Sequence, residues 1–142
     1  MKVYADTSAL IAWFHPADEM ARVVTDWCQE QSAEFLWNPL LRLELRHHLR
    51  KLSSGYAALA WQAYRASETS RKLKMESHRL PDIFERSDEL SARYAQTHRA
   101  GTWDFAHVAA AQRTRADAFV TCDAAQAEVA RAARLPGVHL FR

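Results

Sequence analysis

Four acids stand out in this sequence, Asp6 and Asp123 where strand-like runs end and Glu44 and Asp104 in the opening turns of helix-like ones. Carboxylates brought together in one pocket repel, which raises their pKa values and weakens the fold. A divalent cation removes that repulsion. Mg²⁺ or Mn²⁺ takes oxygen ligands, and Mg²⁺ uses one or two carboxylates while keeping several waters. No Cys/His cluster competes for a softer metal such as zinc. The chemistry that suits such a set is phosphoryl transfer, in which the metal activates water and offsets charge on the phosphate and leaving oxygen.

The elements that must carry these acids are short apolar strands alternating with helices. Residues 2–6, 34–37, 73–77, 118–122 and 138–141 read as strands. Helical spacing covers 9–14, 18–31, 39–53, 56–72, 81–100, 103–115 and 124–133. Leu41, Leu45, Leu49 and Leu52 make one apolar stripe, Pro39 suits a first helical turn, and Thr102 can cap the helix after it. Such alternation predicts βαβ crossovers and a mainly parallel α/β sheet covered on both faces. Ligands in such sheets bind beyond the carboxyl ends of the strands. Asp6 ends the first strand, Asp123 follows the fourth, and Glu44 and Asp104 lie in the opening turns of helices that can reach the same edge.

Each acid also has a plainer use. Asp6 can cap the helix at Ser8. Asp123 can cap the helix at 124–133, with Gln126 three residues on completing a capping box. Asp104 suits the positive end of its helix. Glu44 can pair with His48 one turn on, although it lies beside Leu40 and Leu41 at the margin of the apolar stripe, where an unpaired carboxylate is costly.

Composition narrows the field. At 142 residues, 49% hydrophobic and 25% charged, the chain suits a single globular domain over 1–142. Its three glycines lie far apart, which excludes a Gly-rich phosphate loop. No apolar run reaches the ~20 residues that span a bilayer, and the first carboxylate at Asp6 comes too early for a signal peptide. Cys28 and Cys122 make neither a disulfide framework nor a zinc site, so a cytoplasmic setting is expected. Residues 42 to 79 carry a net +6 and the remainder −4. The basic segment suits either a polyanion or solvent.

Taken in order, Asp6-Thr7-Ser8-Ala9-Leu10, Leu43-Glu44-Leu45-Arg46, Trp103-Asp104-Phe105-Ala106-His107-Val108-Ala109-Ala110-Ala111 and Val120-Thr121-Cys122-Asp123 resemble the motifs of PIN-domain ribonucleases. In size and motif order the chain is most similar to VapC-like toxins of bacterial type II toxin–antitoxin pairs, over nearly its whole length. The resemblance implies a three-layer α/β/α sandwich with a four- or five-stranded sheet. It implies Mg²⁺- or Mn²⁺-dependent endonucleolytic cleavage of RNA, such as tRNA or rRNA, leaving a 5′-phosphate and a 3′-hydroxyl. A homodimer and a small inhibitory antitoxin are implied as well. Asp6, Glu44, Asp104 and Asp123 match the family's four acidic positions, and Thr7 or Ser8 and Thr121 its hydroxyl positions. His107 matches a recurrent histidine, read either as catalytic support or as a hydrogen-bonded structural residue. Asn38 departs from the pattern, standing where a small hydroxyl residue is frequent.

On this reading Arg46, Arg50 and Lys51 hold the RNA backbone. Leu49, Tyr56, Trp61 and Tyr64 either line a groove for an antitoxin helix or fill the core, and Trp103 either stacks on a base or fills the core. Three rivals stand beside it. One is a phosphatase-like domain with Asp6 as nucleophile, disfavoured by Ser8 where a second Asp is wanted. Another is a PIN-like nuclease acting on DNA, or in RNA processing without a toxin role. The last is a non-catalytic binding module whose acids are only caps.

Overall fold

The computed structural model describes every residue except 54 and 77. Five strands, β1 (Lys2–Ala5), β2 (Glu34–Trp37), β3 (Leu73–Met75), β4 (Ala118–Thr121) and β5 (Val138–Leu140), form one sheet in the order β3-β2-β1-β4-β5. Every neighbouring pair is parallel, with Val3 opposite both Phe35 and Ala118, and Tyr4 opposite Phe119. Seven helices flank it: α1 (Thr7–Phe14), α2 (Ala21–Glu30), α3 (Pro39–Lys51), α4 (Ala57–Thr69), α5 (Leu80–Tyr94), α6 (Thr102–Thr114) and α7 (Ala124–Ala132). The main helix contacts fall into two sets, α1 with α2, α3 and α4, and α6 with α5 and α7. This is the expected α/β/α sandwich, with five strands.

The central strands read as continuous apolar runs because helices cover both faces. Val3, Tyr4 and Ala5 are buried, as is all of β4. Seven consecutive residues of α6, Phe105 to Ala111, are buried, and its four alanines allow close approach on every side. Among the described residues no helix is long and apolar enough to cross a membrane.

Topology fixes where a ligand can sit. The chain builds outward from β1 through β2 to β3, then returns to place β4 on the other side of β1. Strand order therefore reverses between β1 and β4, and the crevice beyond their carboxyl ends is the switch point of the sheet. Asp6 and Asp123 follow those two strands.

Local chemistry moves several expected boundaries. α2 begins at Ala21 rather than 18, because the Asp18 carboxylate accepts the Met20 N–H in a local turn. α5 stops at Tyr94 rather than 100, where the chain turns toward Gly101. Thr102 does not cap α6 but is its first residue. Gly101 is the N-cap, and the Asp104 carboxylate reaches back 2.7 Å to the Gly101 N–H. The expected strand end at Ser77 and the break at Ser54 lie outside the described residues.

Candidate functional site

Asp6, Glu44, Asp104 and Asp123 line a single cavity of about 210 Å³ beyond the β1 and β4 ends, together with Thr7, Ser8, Ile11, His48 and Gln126. Larger grooves lie elsewhere, one of about 780 Å³ between α1, α2 and α4 lined by Trp13, Phe14 and Leu59. Acidic character, not size, singles out the smaller cavity.

Asp6 is its floor. It is the N-cap of α1, 2% exposed, and its Oδ1 accepts the Ala9 N–H at 2.9 Å and the Ser8 hydroxyl at 2.7 Å. The buried Thr121 hydroxyl donates to Oδ2 and accepts the Asp123 N–H at 2.9 Å. Ser8 Oγ in turn accepts the Cys122 N–H. Two hydroxyls thus tie the end of β1 to the end of β4. Burial pushes the Asp6 pKa up, and the donors from Thr121, Ala9 and Ser8 offset that only in part.

Asp123 caps α7, its Oδ1 accepting the Gln126 N–H at 3.1 Å. The expected capping box is only half made. The buried Gln126 side chain donates instead to the Asp104 carbonyl at 3.4 Å, joining α7 to the start of α6, because Thr121 already serves the Asp123 N–H. Asp104 is half-buried. Burial raises its pKa, the Gly101 N–H lowers it, and the neighbouring charges of Asp123 and Glu44 raise it again. That mutual repulsion is what the sequence leads one to expect of acids sharing a pocket.

Glu44 pairs with His107 rather than with His48. His107 Nε2 lies 2.8 Å from Glu44 Oε2, and His48 lines the cavity nearby. Burial alone would raise the Glu44 pKa, but the His107 hydrogen bond, with His48 close by, holds it below the usual carboxylate value. Thr7 also favours the ionised form, although its buried Oγ1 makes no hydrogen bond of ordinary geometry.

Two residues that the sequence reading gave no role in the site complete it. Tyr4, wholly buried in β1, places its hydroxyl 2.9 Å from His107 Nδ1, and Asn38 Nδ2 donates to that hydroxyl at 3.1 Å. Asn38 is the N-cap of α3, its Oδ1 accepting the Leu41 N–H. Burial and the charges of Asp6 and Glu44 push the Tyr4 pKa far up, so its hydroxyl keeps its proton. A tyrosine in the central strand of a covered sheet is the signal that could have found this pair, since a buried phenol needs partners.

Among the described residues no three His, Cys, Asp or Glu side chains are close enough to grip one ion together. The donors are all oxygens, however. Asp104 Oδ1, Asp123 Oδ2 and Glu44 Oε1 are not used by the hydrogen bonds above, and the buried Thr7 hydroxyl lines the same cavity with no hydrogen bond of ordinary geometry. Such an all-oxygen donor set fits a hydrated Mg²⁺, bound through one or two carboxylates and otherwise through its waters.

The basic candidates lie elsewhere. Arg46 and Arg50 both sit over the Trp61 ring at 5.3 Å, Arg42 pairs with Glu68, and none of these, nor Lys51, lines the acidic cavity. Leu49 and Tyr64 are core residues, whereas Tyr56 is exposed and Trp61 half-buried. Trp103 is not core filler. It is 48% exposed and borders a groove with Phe84 and Phe105.

Known proteins share this architecture. The PIN domain family matches residues 3–132. Among solved structures, Mycobacterium tuberculosis VapC20, a sarcin-ricin loop cleaving toxin, is 15% identical, with 94% of this chain and 95% of that one covered and a TM-score of 0.72. VapBC2 from Rickettsia felis, bound to a DNA fragment from its promoter, is 12% identical over the whole of both chains, with a TM-score of 0.68. FitAcB from Neisseria gonorrhoeae is 13% identical over 99% of this chain and 96% of that one, with a TM-score of 0.61. At these identities the likeness is one of fold. A search of curated sequences gives no match.

Proposed function

Because the chain belongs to the PIN domain family, we propose that it is a divalent-metal-dependent endoribonuclease, acting as a single domain and as the toxin of a toxin–antitoxin pair. The observation that carries this reading is the convergence of Asp6, Glu44, Asp104 and Asp123 on one cavity at the β1–β4 switch point. One solved relative in fold, VapC20, is described as a sarcin-ricin loop cleaving toxin, and that supports the biological role.

Asp104, Asp123 and Glu44 offer oxygens that would hold Mg²⁺ or Mn²⁺, one or two of them directly and the rest through its waters, and Asp6 anchors the floor beneath them. Such an ion would lower the pKa of water at the site, easing loss of the proton that leaves hydroxide to attack phosphorus, and would offset charge on the phosphate. No side chain acts as a covalent nucleophile. Asp6, the acid nearest that role, has both oxygens engaged by Ser8, Ala9 and Thr121. Thr121 and Ser8 keep Asp6 and Asp123 in fixed positions, so that a cation would meet a preformed set of oxygens. Arg46, Arg50 and Lys51 on α3 supply positive charge for the RNA backbone. A small antitoxin and a second copy of the chain are the expected protein partners, in the cytoplasm.

A second reading has one observation in its favour: Asp6, Asp104 and Asp123 each already satisfy a backbone N–H at a helix start, as simple caps would. Asparagine separates the two readings, since it caps as well as aspartate but binds a cation poorly. Asp104→Asn and Asp123→Asn should each lower Mn²⁺-dependent RNA cleavage by about 100-fold or more and abolish the rise in Tm that Mn²⁺ gives the wild type. Undiminished cleavage by both variants would leave the acids as caps.

A further inference from the structure

Beneath the acidic cavity, four polar side chains from three parts of the chain form one unbroken line: Asn38, Tyr4, His107 and Glu44. We propose that Tyr4, oriented by Asn38, is a positioning residue that fixes His107 as an Nε2–H donor and through it aims the Glu44 carboxylate at the ion. The inference rests on the metal-site reading above and extends it to residues that never touch the ion.

Proton counting along the line gives it direction. Asn38 Oδ1 accepts the Leu41 N–H at 2.9 Å, which settles the amide orientation and leaves the NH₂ group to donate to the Tyr4 oxygen at 3.1 Å. The Tyr4 proton then has one partner within reach, His107 Nδ1 at 2.9 Å, and that nitrogen must accept. A neutral imidazole that accepts at Nδ1 carries its hydrogen on Nε2. Nε2 lies 2.8 Å from Glu44 Oε2, so it donates there and leaves Oε1 for the cavity. Reversing the tautomer would set two lone pairs against each other at the His107–Glu44 contact.

Packing keeps the line from rearranging. The Tyr4 ring stacks on Phe119, with centroids 5.7 Å apart and planes 6° from parallel. His107 is 1% exposed within the continuous buried face of α6. Asn38, the departure from the family pattern noted in the sequence, gains a reason here. A serine could cap α3 but has no amide to reach the Tyr4 oxygen.

The test uses the full chain and Mn²⁺ as probe, titrated by calorimetry, with nitrogen-15 NMR of the imidazole as a second readout. Tyr4→Phe keeps the ring and its stacking and removes only the hydroxyl. It should weaken Mn²⁺ binding by about 10- to 100-fold, as loss of a ligand-orienting partner does elsewhere. The His107 signals should change from one tautomer, bare at Nδ1 and protonated at Nε2, to a mixture. His107→Gln, whose amide can still donate to Glu44, should bind Mn²⁺ better than His107→Leu. Wild-type Mn²⁺ affinity in Tyr4→Phe overturns the proposal, and so does a wild-type spectrum with the proton on Nδ1. The spectrum decides even where Tyr4→Phe is too unstable to titrate. Absence of Mn²⁺ binding in the wild type itself would defeat the metal-site reading, a different failure from a Tyr4→Phe variant that binds as well as its parent.

Discussion

The acidic cavity is held from two sides by different means. On the β1–β4 side, Asp6, Ser8, Thr121 and Asp123 are knotted by hydroxyls and backbone N–H groups that lie within three residues of an acid or directly across a strand pair. On the α3–α6 side, Glu44 has no backbone donor among the described residues. It depends on His107, which is 63 residues away and is itself oriented by Tyr4 from the central strand. The first side is rigid because helix capping and strand pairing already place its parts. The second is rigid only while a line of side chains stays intact. The pKa directions follow the same division. Burial prevails at Asp6 and lifts its carboxyl pKa, whereas the hydrogen bond from His107 prevails at Glu44 and lowers it.

The knotted side should show the larger stability effect when cut. Thr121→Val preserves shape and strand propensity but removes the hydroxyl that donates to Asp6 and accepts from Asp123 N–H. A buried charge loses a donor and a backbone N–H loses its acceptor, for a combined cost of about 2–4 kcal/mol in denaturant unfolding. A loss below about 1 kcal/mol would mean that water or Ser8 takes over, and that this side is less rigid than its hydrogen bonds suggest.

The other side predicts a graded series. Asn38→Ala deletes both the α3 cap and the donor to Tyr4, and should cost about 1–2 kcal/mol. Asn38→Ser restores the cap alone and should recover roughly half of that. Equal stability of the serine and asparagine forms, read from denaturant midpoints at unchanged slope, would show that the Tyr4 contact adds nothing to the fold.

What the sequence discloses divides along the same line. Asp6, Asp104 and Asp123 are legible because a cap announces itself within three residues, and the βαβ pattern then puts strand ends at one edge. The strand positions and the parallel sheet are legible for the same reason, since apolar runs of three to five residues between helical stretches leave few alternatives. Helix ends are less so. Asp18 begins a turn instead of a helix, and Thr102 enters the helix it was expected to cap, because backbone donors compete for the same oxygens. The Glu44 partner is not legible at all. His48 is the neighbour that helical spacing supplies, and His107 becomes the partner only once α6 is packed beside α3. Arg46 and Arg50 likewise carry charge in the sequence but settle over Trp61, a contact that no local pattern specifies.

A pair of variants gives the smallest effects and the sharpest comparison, because their signs should be opposite. Asp104 has its pKa raised by burial and by the charges of Asp123 and Glu44, so its contribution to stability is full below the unfolded value of 3.8 and is lost as pH rises through the folded one. In metal-free protein at neutral pH, the ionised carboxylate therefore weakens the fold. Asp104→Asn, which still accepts the Gly101 N–H, should gain up to about 1 kcal/mol. Glu44 has its pKa lowered, burial being outweighed by His107, so its contribution is present above the unfolded value of 4.5 and lost as pH falls through the folded one. Glu44→Gln should thus lose about 1 kcal/mol at neutral pH. The Asp104 difference should close only below its unfolded value of 3.8, and the Glu44 difference only once pH has fallen through its lowered folded value, where the carboxyls are neutral with or without the substitution. Thermal unfolding of the three proteins from pH 7 downward, with chelator present, reads both signs in one experiment. Two variants shifting in the same direction would mean that the acids respond to a shared field and not to their separate partners. With the signs opposed, Asp104 is the acid that costs the fold its stability and Glu44 the one the fold stabilises, and adding Mn²⁺ should erase the advantage of Asp104→Asn because only the wild type can use the ion.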